Sequence, residues 1–351
     1  MALDLTADLP TLLQQITDIE SVSGNETALA DAIVATLAGH AHLTIHRDGD
    51  AVVARTDLGR PSRVVIAGHI DTVPVAGNLP SWREGDLIYG RGTCDMKGGV
   101  AVMLDAAVAL SAPRHDVTWI FYDHEEVEAA KNGLGRLART RPDLLEGEFA
   151  VLMEPTGARI EGGCQGTLRF EVTTTGRAAH SARSWLGHNA IHDAGALLRT
   201  LEEYRPRTVV VDGLEYREGL NAVGISGGIA GNVIPDRCTI VVNFRFAPDR
   251  SVEDAKQHCR DVFAGHELVF TDESPAARPG LDLPAAAEFL AAVGGEPRAK
   301  YGWTDVARFS ALGIPAVNFG PADPGKAHAD DEFCPATDLD ICSAAIRRWL
   351  S

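Results

Sequence analysis

Three apolar runs in the first half of the chain have the length of buried strands, and each leads directly or nearly so into an ionisable residue. Arg63-Val64-Val65-Ile66-Ala67-Gly68 is followed by His69. Val117-Thr118-Trp119-Ile120-Phe121-Tyr122 is followed closely by Glu125-Glu126, and Phe149-Ala150-Val151-Leu152-Met153 by Glu154. Unbroken apolar runs suit strands covered on both faces, as in a parallel sheet between helices. In open α/β sheets ligands gather at the carboxyl ends of the strands, so His69, Glu125 and Glu154 are expected in one cleft.

The rest of the chain fits that frame. Residues 9–39 read as two helices, with Pro10 near the start of the first and Ser23 or Asn25 capping the second. Leu43 to Thr56 reads as a hairpin around Asp48-Gly49, and Met96 to Leu110 has helical periodicity. Strands alternating with helices specify a doubly wound α/β layer. The texture changes near residue 165. Leu168 to Thr175 alternates like a half-exposed antiparallel strand; a helix at about 188–203, strands at 221–229 and 235–246, and a helix from Ser251 to Phe263 follow. This β-α-β-β-α order is an α+β module inserted into the first domain. Near Leu283 the buried texture returns, with a strand at Pro315-Ala316-Val317-Asn318-Phe319 and a final helix at about 337–350. The expected domains are 1–165 with 283–351, and 166–282.

A chain of 351 residues is too long for one ordinary core, which agrees with two domains. Its formal net charge of -17 disfavours nucleic acid and anionic membranes as partners. No apolar run approaches the ~18–20 residues of a bilayer span. The opening MALDLTADLP lacks the basic region of a secretory signal, and the six cysteines form no C-x-x-C pair; both point to the cytoplasm.

Taken singly, each ionisable segment has an ordinary reading as a loop, a cap or a packed histidine. His69 and Asp71, two apart on an extended chain, face the same side, so Asp71 is placed to hydrogen-bond the imidazole or a neighbouring ligand. Asp95, between glycines and a helix start, is either an N-cap or a carboxylate shared by two cations. Glu125 and Glu126 repel each other and are costly in a dry cleft without cations. Glu154 leaves a core strand directly, and His328 lies in a loop. As an ordered set they supply two His and four carboxylates for a pair of divalent metals, with one carboxylate over to act as a base. That equipment suits hydrolysis of an amide by a metal-activated water.

The ordered segments GHIDTVP, GRGTCDMKGG, YDHEEV, MEPT and AHADDE closely resemble the M20 family of dinuclear zinc amidohydrolases. The resemblance implies a zinc-peptidase-like α/β catalytic domain with an inserted lid and dimerisation domain. It implies that Asp95 bridges two Zn2+ ions, with Co2+ as a possible replacement. His69 and Glu154 would complete one site, and Glu126 and His328 the other. Glu125 would be the general base and Asp71 would orient His69. A cis peptide is implied at Asp95-Met96.

In the insert, GRAAHSA around His180 matches the lid motif whose histidine reaches the partner subunit's site in a homodimer. Asn232, in GGIAGNVIP, matches a second lid motif that touches substrate, and Arg245 a lid arginine that grips a substrate carboxylate. Residues 301–309 and 318–321 are most similar to the actinobacterial type of succinyl-diaminopimelate desuccinylase, while the segment around His328 also resembles deacetylases. The implied reaction is hydrolysis of N-succinyl-L,L-2,6-diaminopimelate to succinate and L,L-diaminopimelate. N-acetylornithine deacetylase or another aminoacylase or dipeptidase is the alternative. Thr304 and Asp305 either cap the following helix or line the acyl pocket, and Arg308 is either a second carboxylate partner or a surface residue. A metal-free binding protein would lack one of the ligands, and a phosphate-handling metalloenzyme would carry a basic or Gly-rich cradle; the sequence shows neither pattern.

Overall fold

The computed structural model describes residues 2–351. The chain divides into two compact units, one of Met1–Gly162, Pro279–Arg298 and Arg308–Ser351, the other of Gly163–Arg278 and Ala299–Ala307. Residues 299–307 thus group with the inserted unit, although the sequence reading kept them with the C-terminal part.

The larger unit is built on an eight-stranded mixed sheet. Its order is Thr44–Asp48, Ala51–Arg55, Asp116–Tyr122, Arg63–His69, Phe149–Leu152, Ala316–Asn318, Glu161–Gly162 and Arg298–Ala299. The four central strands, Asp116–Tyr122 to Ala316–Asn318 in that order, run parallel. They are the apolar runs of the sequence, and almost every residue in them is buried. The hairpin Thr44–Asp48/Ala51–Arg55 turns at Gly49, whose φ of 60° suits glycine.

Helices Leu9–Thr17, Thr27–Leu37, Gly98–Ala109, Pro284–Val293 and Ala336–Leu350 contribute to one core with this sheet. Gly98–Ala109 is apolar nearly all round, as a fully covered helix must be. Its approach needs glycine: a Cβ on Gly99 would sit 2.3 Å from the Met153 carbonyl oxygen. Asp8 caps the first helix by accepting from Thr11 N–H. The expected Ser23 or Asn25 cap on the second helix is not used. Its N-cap is Glu26, without a side-chain cap bond, and the Ser23 hydroxyl donates to Asp71 instead.

The smaller unit is a four-stranded antiparallel sheet in the order Gly219–Gly227, Arg237–Phe246, Gly166–Thr175, Leu268–Ser274, with helices Ala190–Glu203 and Val252–Val262 in its core. Ser251 and Asp254 form a reciprocal capping box at the second of these helices. Two elements extend the expected β-α-β-β-α order: the hairpin Thr208–Val211/Leu214–Arg217 and the edge strand Leu268–Ser274. The edge strand is mostly exposed, which removes the apolar alternation that would have announced it. No helix among the described residues is long and apolar enough to cross a membrane.

Candidate metal centre

The carboxyl ends of three of the four parallel strands carry ionisable residues. His69 is the last residue of its strand; Asp71, the 123–126 segment and Glu154 follow their strands within a few residues. A tight segment, Thr93–Lys97, presents Asp95, and the Asp95-Met96 peptide is cis.

Asp95 divides its two oxygens between two histidines. Oδ1 lies 3.1 Å from His69 Nε2, and Oδ2 lies 3.4 Å from His328 Nε2. His328 Nε2 is also 2.9 Å from Glu126 Oε1. His69, Asp95 and Glu126 each offer a ligand atom, all within 4.8 Å of one another, a grouping that can hold a metal ion. The buried Glu154 is not one of that group of three. His69 Nδ1–H donates to the main-chain carbonyl of Asp71 at 3.0 Å, which leaves Nε2 to face Asp95 in the tautomer that a metal ligand needs.

The electrostatics describe a site short of positive charge. Burial opposes a proton on His69, yet Asp71 and Asp95 outweigh it and hold its pKa well above the ordinary value. Hydrogen bonds to Asp95 and Glu126 raise His328 to about 10. Burial alone would raise Asp95, but the two imidazoles hold it far below the usual carboxylate range. Carboxylates that draw protons this strongly onto imidazoles also suit a dication, so the donor set fits a divalent metal.

Asp71 does more than its position suggested. Fully buried, it accepts Glu125 N–H at 2.9 Å, Glu126 N–H at 3.0 Å and the Ser23 hydroxyl at 2.6 Å. Its carboxylate lies 3.5 Å from His69 Nδ1, farther than its own carbonyl oxygen. The opposing pull of burial is overcome and its pKa falls to about 2. Asp123 is anchored by a bidentate Arg136, and His124 lies 3.2 Å from the buried Glu26 carboxylate. Lys97, next to the cis peptide, donates to the Ile19 carbonyl at 2.9 Å; burial pushes its pKa down to about 7. The roles of Ser23, Glu26, Arg91 and Glu332 escaped the sequence reading, although Arg91 lies within GRGTCDMKGG and Glu332 is the last acid of AHADDE.

In the inserted unit, His180 and Asn232 are brought together by pairing of their segments: Ser181 N–H donates to the Asn232 carbonyl, and His180 bridges Val233. His180 Nδ1 accepts Ala182 N–H at 3.0 Å, so the neutral ring carries its proton on Nε2. Arg245 borders a cavity of about 500 Å³ with Gln165, Arg217, Glu218, Gly219, Tyr301 and Gly302. Burial and the neighbouring Arg169 lower its pKa, and no acidic side chain among the described residues is within ion-pair distance. Thr304 and Asp305 are buried immediately before the short helix Val306–Ala311, and the Thr304 carbonyl accepts from Cys164. Arg308 lies against the helix Gly133–Thr140: a Cβ on Gly135 would be 2.8 Å from its guanidinium.

Comparison with known proteins agrees with this geometry. The chain is 54% identical over 351 residues to a putative succinyl-diaminopimelate desuccinylase of Mycobacterium tuberculosis, covering 99% of both. It is 45% identical over 360 residues to a succinyl-diaminopimelate desuccinylase of Corynebacterium glutamicum, covering 99% of this chain and 98% of that one. A tripeptidase structure from Staphylococcus aureus shares the fold with a TM-score of 0.80 at 18% identity, over 100% of this chain and 98% of that one. Peptidase family M20/M25/M40 matches residues 65–351, and the chain belongs to that family of hydrolases.

Proposed function

We propose that this protein hydrolyses N-succinyl-L,L-2,6-diaminopimelate to succinate and L,L-diaminopimelate, using two zinc ions. The full-length 54% identity to the mycobacterial protein carries the choice of substrate. The division of Asp95 between His69 and His328 supports a bridging carboxylate, with Glu154 completing the His69 site and Glu126 the His328 site. When bound, the zinc ions would supply a water of pKa near ~7 and a Lewis acid for the amide carbonyl. Cobalt would serve as a replacement.

The chain's own residues do the rest. Glu125 takes a proton from the attacking water and returns it to the leaving amine. Asp71 fixes the main chain that carries Glu125, and its carbonyl fixes the His69 ring. His180 donates from Nε2 to the carbonyl oxygen as negative charge develops there, a contribution of ~3–4 kcal/mol for a preorganised donor. Arg245 binds a substrate carboxylate, a role supported by its half-burial without an acidic partner, and Asn232 and Thr304 complete the substrate contacts.

The working form is a homodimer joined through the inserted unit. The edge strand Gly219–Gly227 exposes Val223 and Ile225, and the helix Ala190–Glu203 exposes Ile191 and Leu198. An unpaired strand edge with apolar side chains favours pairing with a second copy. The cytoplasm is the compartment, in keeping with six buried cysteines that form no bridge.

The test of substrate is kcat/KM for the succinylated compound against N-acetylornithine at equal zinc loading. At least a tenfold preference for the former is expected, about 1.4 kcal/mol of transition-state binding. The reverse preference would replace the desuccinylase reading with a deacetylase.

A further inference from the structure

The segments that present Asp95 and His328 are joined by a buried ion pair outside the ligand set. The Arg91 and Glu332 side chains are 4% and 1% exposed, and Arg91 Nη1 donates to Glu332 Oε2 at 2.8 Å. The other carboxylate oxygen, Oε1, accepts two backbone donors: Cys94 N–H at 3.0 Å and Asp95 N–H at 3.1 Å. One carboxylate therefore fixes the two peptide planes that lead into Asp95.

Arg91 extends the grip. Its Nη1 also donates to the Ala329 carbonyl at 3.2 Å, one residue beyond His328. Its Nε donates to the Pro74 carbonyl at 3.1 Å, three residues beyond Asp71. The main chain runs parallel to this arrangement. Gly90 N–H donates to the Glu332 carbonyl, Arg91 N–H to the Asn78 carbonyl, and strand Leu87–Tyr89 pairs with Phe333–Pro335. Burial favours the neutral form of Glu332, and the N–H groups of Asp95 and Gly92, with Arg91, work against it. A buried carboxylate of this kind is costly to desolvate. A fold that needed only to pack could use apolar residues here.

We infer that Arg91 and Glu332 are a positioning pair that presents Asp95 and His328 to the metals as one preassembled unit. The inference rests on the dinuclear reading above. Neither residue belongs to the proposed ligand set or to the proposed substrate contacts. Their effect passes through the backbone of Asp95 on one side and of Ala329 on the other.

The test is zinc binding to the chelator-stripped protein, measured by calorimetry, for wild type, Glu332→Gln and Arg91→Lys. Glutamine keeps an oxygen for the two N–H groups but faces Arg91 with an amide. Lysine keeps the charge but cannot reach Pro74, Ala329 and Glu332 together. Each variant is expected to bind zinc 10–100-fold more weakly, as metal sites do when an outer partner is lost. The visible spectrum of the cobalt form is expected to change in shape, since it follows coordination geometry. A role in packing alone would lower the melting temperature of the metal-free protein and leave zinc affinity and the cobalt spectrum unchanged, which overturns the inference. Failure of both variants to fold also overturns it, because the pair would then be a requirement of the fold. If wild type itself binds no zinc, the dinuclear reading falls instead.

Discussion

The Asp71 carboxylate accepts the backbone N–H of Glu125 at 2.9 Å. Through its other oxygen it holds Glu126 N–H as well, so one buried side chain sets the course of the segment that carries both the proposed base and a proposed ligand. Asp71→Asn has a single acceptor oxygen for the two donors and turns an N–H2 group toward one of them. The main chain of Glu125 should shift, and a misplacement of about 1 Å at a catalytic group costs on the order of 10²-fold. The expected result is a fall of about that size in kcat, with zinc content kept. Steady-state kinetics with metal analysis on the same sample checks it; an unchanged kcat would show that the segment holds its course without Asp71.

Glu125→Gln separates base from ligand. The variant should keep both metals and lose several orders of magnitude in kcat. Elemental analysis showing zinc depletion would place Glu125 among the ligands.

Much of this centre was legible in the sequence because strand ends are marked by composition. Unbroken apolar runs stop where the chain leaves the sheet, and His69 and Glu154 sit at those stops. The grip of Asp71 on Glu125 and Glu126 left no such mark, because backbone donors carry no residue identity. Ser23 looked like a helix cap for the same reason: a hydroxyl near a helix start reads as a cap until the acceptor 48 residues away is known. The Arg91–Glu332 pair spans 241 residues, and no local pattern links the two. The strand Leu268–Ser274 was missed because an exposed edge does not need apolar alternation.

Removing the metals should make stability depend on pH in a defined window. In the metal-free protein His328 is raised from 6.5 to about 10 by hydrogen bonds to Asp95 and Glu126. Between those values the folded state holds a proton that the unfolded state has released. The stabilisation is complete below pH 6.5 and is lost as pH rises toward about 10. The melting temperature of stripped wild type should therefore exceed that of stripped His328→Gln at pH 6, with the two converging by pH 10. Zinc should abolish the trend in wild type and release protons on binding, because a ligating imidazole nitrogen carries none. A constant difference across the whole range would mean that His328 is held by packing.

The proposed donor role of His180 can be tested by subunit mixing. Its proton lies on Nε2 while Nδ1 is held by Ala182. Mixed dimers of His180→Ala and Glu125→Gln chains would contain one site with an intact base and an intact histidine from the other chain. Activity should partly return on mixing. No return, with exchange proved by labelled subunits, would place the histidine in its own subunit's site or outside catalysis.

Arg245 gives the sharpest handle on specificity. A half-buried guanidinium without an acidic partner is costly unless an anion completes it, and the cavity beside it has room for one. A charge-assisted hydrogen bond of this type is worth ~1.5–3 kcal/mol, which corresponds to about tenfold to 100-fold in kcat/KM. Arg245→Met should lower kcat/KM for N-succinyl-L,L-diaminopimelate by about that factor, mostly through KM. The effect on N-acetylornithine identifies the carboxylate concerned. If the succinyl group is the partner, the acetylated compound should lose little and the preference between the two should collapse. An equal loss on both would move Arg245 to a carboxylate that the two substrates share. No loss on either would remove it from the substrate site, and the desuccinylase reading would then need another cation to explain its preference for a charged acyl group.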